Sequence, residues 1–498
     1  MNHSPLRKFS LPKLIPSLLF AFFSLNHSAA QATDLLHSCR VEGFAQQVQC
    51  GQLKRPLNPN EPSGKQIDLH FIVLPAQDKS KAPDPIFLLA GGPGQSAISV
   101  ASWMQTLFEK LQRRHDLVFV DQRGTGKSAP LECPESDGLS GIGQPDFEVQ
   151  EILKCKTKLE KLPHGDLRWY TTSIAMQDLD AVRAALNYPQ IDLIGISYGT
   201  RAALEYVRQF PANVHRTILD GVVQPEVMLA DDDLQKSLNR LFDDCSKDAL
   251  CQKAYPRLQQ DWKKLLAGLP QKTQLTHPRL GTTESVTITR DDVLGWVSRV
   301  IYTPVNTAGL PNAILQANRG NFNPLLALSG AGGLPNPGAI SFGMHFSVVC
   351  SEEYDSMLKN ASPPREGNDF GDLHKQLYLK VCKNWPRSSV PQAFYTTPVS
   401  STPVLLLSGG ADPVTPPWHA AQVAKALGAK TRHIVLDNSG HGVLTQTCLA
   451  DVATDFINAK SEQEAINVDA SCVKQIPRPS VWIAPTAPST SVAKEVQP

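Results

Sequence analysis

Ile191-Asp192-Leu193-Ile194-Gly195-Ile196-Ser197-Tyr198-Gly199-Thr200 is the stretch from which the rest of this 498-residue chain can be read. An apolar run leads into Gly-x-Ser-x-Gly, and a helix-compatible run from Arg201 to Gln209 follows. Strand, sharp turn and helix in that order form the setting in which Gly-x-Ser-x-Gly is a nucleophile elbow. Gly195 and Gly199 carry no Cβ, so strand and helix can close around a strained central residue. That strain would hold the Ser197 hydroxyl up at the C-terminal edge of a sheet. The bare five-residue pattern also occurs by chance in loops; the flanking strand and helix select the elbow.

Outward from the elbow, apolar runs mark further strands at Ile67–Leu74, Pro85–Ala90, Leu117–Val120 and Thr217–Val223. Helical patterns fall through Trp103, Leu107 and Leu111 and over Ile174–Leu186, while Pro130–Leu167 reads as irregular. From about 225 to 400 the pattern changes: helical stretches such as Leu234–Leu241 and Trp262–Leu269 mix with Pro- and Gly-rich linkers, without evident buried parallel strands. Strand character returns at Pro403–Ser408 and Arg432–Leu436, with helices over Pro417–Leu427 and Leu449–Ile457. Alternating strands and helices predict an α/β fold, a mostly parallel sheet with helices on both faces. The expected organisation is a core over 33–224 and 401–475, a mainly helical cap inserted at 225–400, and a disordered Pro/Ser/Thr-rich tail at 476–498.

Bulk properties set the compartment. Hydrophobic residues make up 41% of the chain and charged residues 19%, which suits a soluble globular protein. A net charge of +1 carries no signal for nucleic acid or a membrane surface. At the N-terminus, Arg7, Lys8 and Lys13 precede an apolar run from Leu14 to Leu25 and small residues at Ser28, Ala29, Ala30 and Ala32. This is the pattern of a signal peptide over 1–32, cleaved after Ala30 or Ala32. The run is shorter than the ~20 residues a membrane span needs, so no stable insertion is expected after cleavage. The expected location is periplasmic or extracellular. Ten cysteines fit an oxidising compartment. Spacing does not determine their connectivity, but sequential pairing would close five short loops: Cys39–Cys50, Cys133–Cys155, Cys245–Cys251, Cys350–Cys382 and Cys448–Cys472. No Cys-x-x-Cys or paired Cys/His spacing calls for a metal, and no organic cofactor is implied. Oligomeric state cannot be read from the sequence.

Chemistry-bearing residues gather at strand ends, where open α/β sheets place their sites. Ser197, Asp412 and His441 follow three separate strands, in the chain order of an α/β-hydrolase triad. Ser197 would be the nucleophile, His441 the base that takes its proton and returns it to the leaving group, and Asp412 the acid that fixes the imidazole tautomer. Gly91-Gly92-Pro93-Gly94 exposes backbone N–H groups. With the N–H of Tyr198, Gly91, Gly92 and Gly94 can form an oxyanion hole, each donor contributing about 3–4 kcal/mol. Pro93 has no N–H to offer. Gly126-Lys127-Ser128 resembles the end of a phosphate-binding loop, but Asp121 stands where that motif needs its first glycine.

Gly-Gly-Pro-Gly-Gln-Ser from Gly91, Asp-Gln-Arg-Gly-Thr-Gly-Lys-Ser from Asp121, Gly-Ile-Ser-Tyr-Gly-Thr from Gly195, Gly-Ala-Asp-Pro-Val-Thr-Pro from Gly410 and Gly-His-Gly from Gly440 occur in a set order. Together they resemble the secreted tripeptidyl aminopeptidase and prolyl iminopeptidase branch of the α/β-hydrolase serine peptidases, including its tripeptidyl-aminopeptidase-like C-terminal region. The resemblance spans roughly Ile67 to Cys472. One departure is Ala90, where many of those relatives carry a histidine. The resemblance implies release of residues or short peptides from substrates with free N-termini. Such a substrate needs an anionic anchor for its ammonium group, and Glu352 and Glu353, late in the cap, are the candidates. A carboxylester hydrolase with the same triad is the alternative, because fold and triad do not separate the two. A third reading, a non-catalytic binding protein on the same scaffold, conflicts with an intact triad.

Overall fold

The computed structural model describes Met1 and residues 35–134, 139–144, 146–225, 231–330, 339–359, 366–446 and 448–484. The expected signal peptide beyond Met1 and the last part of the tail, 485–498, lie outside the described residues. Eleven strands are present: β1 Leu36–Cys39, β2 Val48–Pro56, β3 Gln66–Leu74, β4 Ile86–Leu89, β5 Leu117–Val120, β6 Ile191–Ile196, β7 Val214–Asp220, β8 Gln271–Thr276, β9 Thr283–Ile288, β10 Val404–Gly409 and β11 Thr431–Leu436. Nine form one sheet in the order β1-β2-β3-β5-β4-β6-β7-β10-β11. The first three are antiparallel and β3 joins β5 antiparallel, while β5, β4, β6, β7, β10 and β11 run parallel.

The strand sequences explain this division. β4, β5 and β10 are buried along their whole length, as parallel strands covered on both faces must be. Alternate residues feed different cores: Phe87, Leu89, Leu193 and Leu219 face one layer, and Ile86, Leu88, Ile194 and Ile218 the other. β1 and β2 were not expected. Their partly exposed, polar residues carry little apolar periodicity, and pairing with β3 rather than burial defines them.

Two other segments differ from expectation. The irregular stretch at Pro130–Leu167 contains the helix Phe147–Leu159, which buries only Ile152, Cys155 and Leu159 and is therefore faint as a pattern. Residues 477–484, assigned by composition to a disordered tail, lie packed against the insertion. There the Tyr255 hydroxyl donates to the Trp482 carbonyl at 2.8 Å, and the Trp482 N–H donates to the Ala308 carbonyl at 2.9 Å. The five disulfides join the cysteines in sequential order, as expected.

The insertion leaves the sheet after β7 and returns at β10, and these strands are direct neighbours. Its first part builds a core of its own from Leu234, Trp262, Trp296 and Phe322, with β8 and β9 as an antiparallel hairpin. Its second part does not. Met344, Phe346, Val348 and Cys350 of the helix Phe342–Glu352, with Val381, Cys382 and Trp385, belong to the core that covers the main sheet.

At the elbow, the two glycines are required by space. A Cβ on Gly199 would lie 2.0 Å from the Leu89 carbonyl oxygen, and one on Gly195 would lie 2.4 Å from the Gly199 carbonyl oxygen. Both obstacles are backbone and cannot swing aside. Replacing Gly199 by Ala should therefore cost about 3 kcal/mol or more, read as a fall in the denaturant midpoint. A variant as stable as the parent would show that strand and helix can separate at no cost.

Candidate active site

Ser197 sits between β6 and the helix Tyr198–Gln209 at φ 56° and ψ −123°, a left-handed conformation that a side-chain-bearing residue rarely adopts. Its N–H donates to the Asp220 carbonyl at the end of β7, at 2.8 Å. Gly221 follows, and the His441 imidazole lies against it: a Cβ there would be 3.1 Å from His441 Cε1. The elbow and the histidine are thus brought together across the end of one strand. On the other side, the position a Cβ would take on Gly91 is 3.2 Å from Ser197 Cβ. Within the Gly91–Gly94 loop, Gly91 therefore stands beside the serine. Tyr198 opens the nucleophile helix, where N–H groups lack intrahelical partners and the helix dipole favours negative charge.

His441 is held by an acid and a hydroxyl. Its Nδ1 lies 2.8 Å from Asp412 Oδ2 and 3.0 Å from Thr415 Oγ1. Asp412 is buried, and it also accepts from the N–H groups of Val414 and Thr415 at 2.9 and 2.8 Å and from the Thr415 hydroxyl at 2.6 Å. Burial alone would raise this carboxyl's pKa. The His441 ring, Thr415 and the backbone donors outweigh burial and hold it below the usual value. For His441, burial pulls the pKa down, while the charge and hydrogen bond of Asp412, and Asp220 beyond it, raise it above an ordinary imidazole. With Nδ1 committed to Asp412, Nε2 is the nitrogen left for a reacting group.

Three contributors were not anticipated. Tyr302, from the insertion, packs edge-on against the His441 ring at 5.5 Å between centroids, and its carbonyl accepts from the His441 N–H at 2.9 Å. The residue remains 36% exposed. Asp220 is buried and accepts from the N–H groups of Val443 and Leu444 at 2.9–3.0 Å, fixing the loop after His441. Burial pushes its carboxyl up to about 6. Thr415 is the third. A polar residue ending a buried strand, as Asp220 does, was a usable signal; nothing local marks Tyr302.

The two glutamates do not stand where an ammonium anchor was expected. Glu352 and Glu353 are only 2% and 3% exposed, and both already have partners. Glu353 pairs with Arg201, itself buried on the nucleophile helix. Glu352 accepts from the Thr172 N–H at 2.7 Å and from the Thr172 hydroxyl at 3.1 Å. Burial raises the Glu352 carboxyl to about 7. The acidic run reads as a loop in sequence, but it ends a helix packed into the main core, and this turns both side chains inward. Asp121 and Arg123 are likewise consumed internally. Asp121 accepts from the Ser96 hydroxyl at 2.6 Å, and Arg123 forks onto Asp178 at 2.7 and 3.0 Å. Among the described residues no cluster of His, Cys, Asp or Glu could hold a metal ion.

A strained serine at the end of β6, with a histidine–aspartate pair carried by the loops after the last two strands, is the arrangement of the α/β hydrolases. The family model described as alpha/beta hydrolase fold matches residues 84–446, and the chain belongs to that family. It is a serine hydrolase. Among characterised relatives, it is 27% identical to the serine protease Hip1 of Mycobacterium tuberculosis over 451 residues, covering 82% of this chain and 84% of that one. It is 30% identical to the tripeptidyl aminopeptidase of Streptomyces lividans over 198 residues, 36% of each chain. Carboxylesterase B of Mycobacterium tuberculosis is 24% identical, with 79% of this chain and 80% of that one covered.

If Asp412 holds the imidazolium as this geometry implies, the acid limb of kcat/KM should lie above pH ~6.5, the unperturbed imidazole value. The sign follows from the raised pKa: the ring stays protonated, and useless as a base, to higher pH. Asp412→Asn removes the nearer charge and leaves burial opposed only by the more distant Asp220, so the limb should move to lower pH while kcat falls about 10⁴-fold. A pH–rate profile of both proteins checks this, and an unmoved limb would remove Asp412 from the role.

Proposed function

We propose that this protein is an exported serine exopeptidase that releases residues or short peptides from free N-termini through an acyl-enzyme. The observation that carries the chemistry is the Asp412–His441 pair, seated over Gly221 at the strand end to which the Ser197 elbow is tied. In this reading Ser197 Oγ attacks the scissile carbonyl carbon as His441 Nε2 takes the hydroxyl proton. The carbonyl oxygen becomes an oxyanion held by the N–H of Tyr198 and donors from the Gly91–Gly94 loop, in which Gly91 stands beside Ser197. His441 then delivers the proton to the leaving amine, the C–N bond breaks, and the acyl group stays on Ser197. Water, deprotonated by His441, attacks the ester carbonyl, and His441 returns that proton to Ser197 Oγ as the ester bond breaks and the peptide acid leaves.

Peptide substrates are supported by the likeness to Hip1 and to a tripeptidyl aminopeptidase. Export is supported by the N-terminal signal pattern and by five disulfides. No helix among the described residues is long and apolar enough to cross a membrane. An esterase reading draws on the likeness to Carboxylesterase B, which covers most of both chains. The two separate on substrate. The exopeptidase should turn over aminoacyl- or tripeptidyl-arylamides with a free amine at least about 10²-fold better, in kcat/KM, than the same compounds N-acetylated. Ser197→Ala should reduce both to background. Equal rates on free and blocked arylamides, or hydrolysis confined to acyl esters, would overturn the exopeptidase.

A further inference from the structure

The two halves of the oxyanion hole come from different parts of the chain. Tyr198 begins the nucleophile helix, and the Gly91–Gly94 loop follows β4. Their strands are paired as far as Leu89 opposite Gly195; beyond Leu89 the loop has left the sheet, while Ile196 still pairs with Asp220 of β7. What spans them next is one helix of the insertion, Phe342–Glu352, 11 residues or about 16 Å long. At its first turn, the Ser341 N–H donates to the Gly94 carbonyl at 2.9 Å, and a Cβ on Gly94 would strike the Ser341 carbonyl oxygen at 2.9 Å. His345 Nδ1 donates to the Pro93 carbonyl at 3.0 Å, while its Nε2 lies 3.1 Å from the Tyr378 hydroxyl. At its last turn, Glu352 takes both the N–H and the hydroxyl of Thr172, and Thr172 Oγ1 lies 2.7 Å from the Tyr198 hydroxyl. Glu353, the next residue, pairs with Arg201 one turn into the nucleophile helix. The Cys350–Cys382 disulfide and the packing of Phe346 against Trp385 tie the same helix to its neighbours.

We propose that the helix Phe342–Glu352 is a strut that sets the geometry of the oxyanion hole. His345 positions the Gly91–Gly94 loop at one end of it, and Glu352, through Thr172, positions Tyr198 at the other. Neither residue touches substrate; both are positioning residues. The expected anchor Glu352 thereby acquires a different role. Instead of gripping an ammonium group, it fixes the residue whose N–H meets the developing oxyanion. Glu352 is fully committed inside the protein, and a free carboxylate in a cleft would not be. Misplacing a donor by about 1 Å is enough to lose roughly 10²-fold in rate. The inference rests on Ser197 being the nucleophile, as proposed above, but it does not depend on the substrate being a peptide.

The test compares kcat and KM on a p-nitrophenyl ester and on a free-amine peptidyl arylamide for the parent, Glu352→Ala, Glu352→Gln, Thr172→Val and His345→Gln. Glu352→Ala should lower kcat about 10²-fold on whichever substrates the parent turns over, with KM within about twofold. Thr172→Val and His345→Gln should lower it about tenfold, and Glu352→Gln, which keeps an acceptor for the Thr172 N–H, should restore most of the rate. The inhibition constant of a trifluoromethyl ketone analogue, which forms a tetrahedral adduct, should rise in proportion, while that of the product acid stays unchanged. Should Glu352→Ala fail to fold, the near-isosteric Thr172→Val and His345→Gln decide the matter. A raised KM for free-amine substrates at constant kcat would overturn the strut and return Glu352 to an anchor. So would an unchanged kcat in both near-isosteric variants. A parent that hydrolyses only esters would contradict the exopeptidase reading alone, and the strut would stand or fall on the ester rates.

Discussion

Between Gly199 and the Leu89 carbonyl oxygen there is no room for a methyl group, and the rest of the site depends on that contact. It presses the nucleophile helix onto the end of β4, so the turn between β6 and the helix must be tight. The tightness puts Ser197 at φ 56°, where the surrounding packing has to hold it. The same contact sets the Gly91–Gly94 loop beside the serine, since that loop is the continuation of β4. One close approach therefore brings Ser197 and the Gly91–Gly94 loop side by side.

Around this centre the insertion divides its labour. The portion with its own core supplies Tyr302, which packs edge-on against His441 and is itself partly exposed. The portion merged with the main core supplies the helix Phe342–Glu352, which touches the oxyanion loop at one end and supports the elbow at the other. The apolar residues of the second are part of the sheet's cover. Calling the whole of 225–400 a cap thus joins two things with different physical roles.

Ser197, Asp412 and His441 stood out in sequence because each follows a strand and sits among glycines or prolines; the strands before Ser197 and Asp412 are buried, while β11 before His441 is partly exposed. The central parallel strands were legible for a related reason: burial on both faces writes an uninterrupted apolar run. β1 and β2 lie at the polar edge and depend on pairing, which periodicity does not record. The helix Phe147–Leu159 buries too few residues to stand out. Glu352 and Glu353 were misplaced because an acidic pair looks the same whether it faces water or a buried Arg201. Only the packing of the preceding helix decides which way it turns. Thr172 is engaged by Glu352 and Tyr302 by His441, each more than a hundred residues away in the chain, and no local signal could have named them.

The electrostatics close consistently on the Asp412–His441 pair. Asp412 is kept ionised by its donors, His441 is kept basic by Asp412, and Asp220 holds the loop that carries the histidine. The most direct test is to quench the enzyme with acid during turnover of a peptidyl ester and locate the adduct by mass spectrometry. The account predicts the peptidyl acyl group on the peptide that contains Ser197, disappearing in step with product release. An adduct on any other residue, or turnover with no covalent species even under rapid quenching, would contradict it.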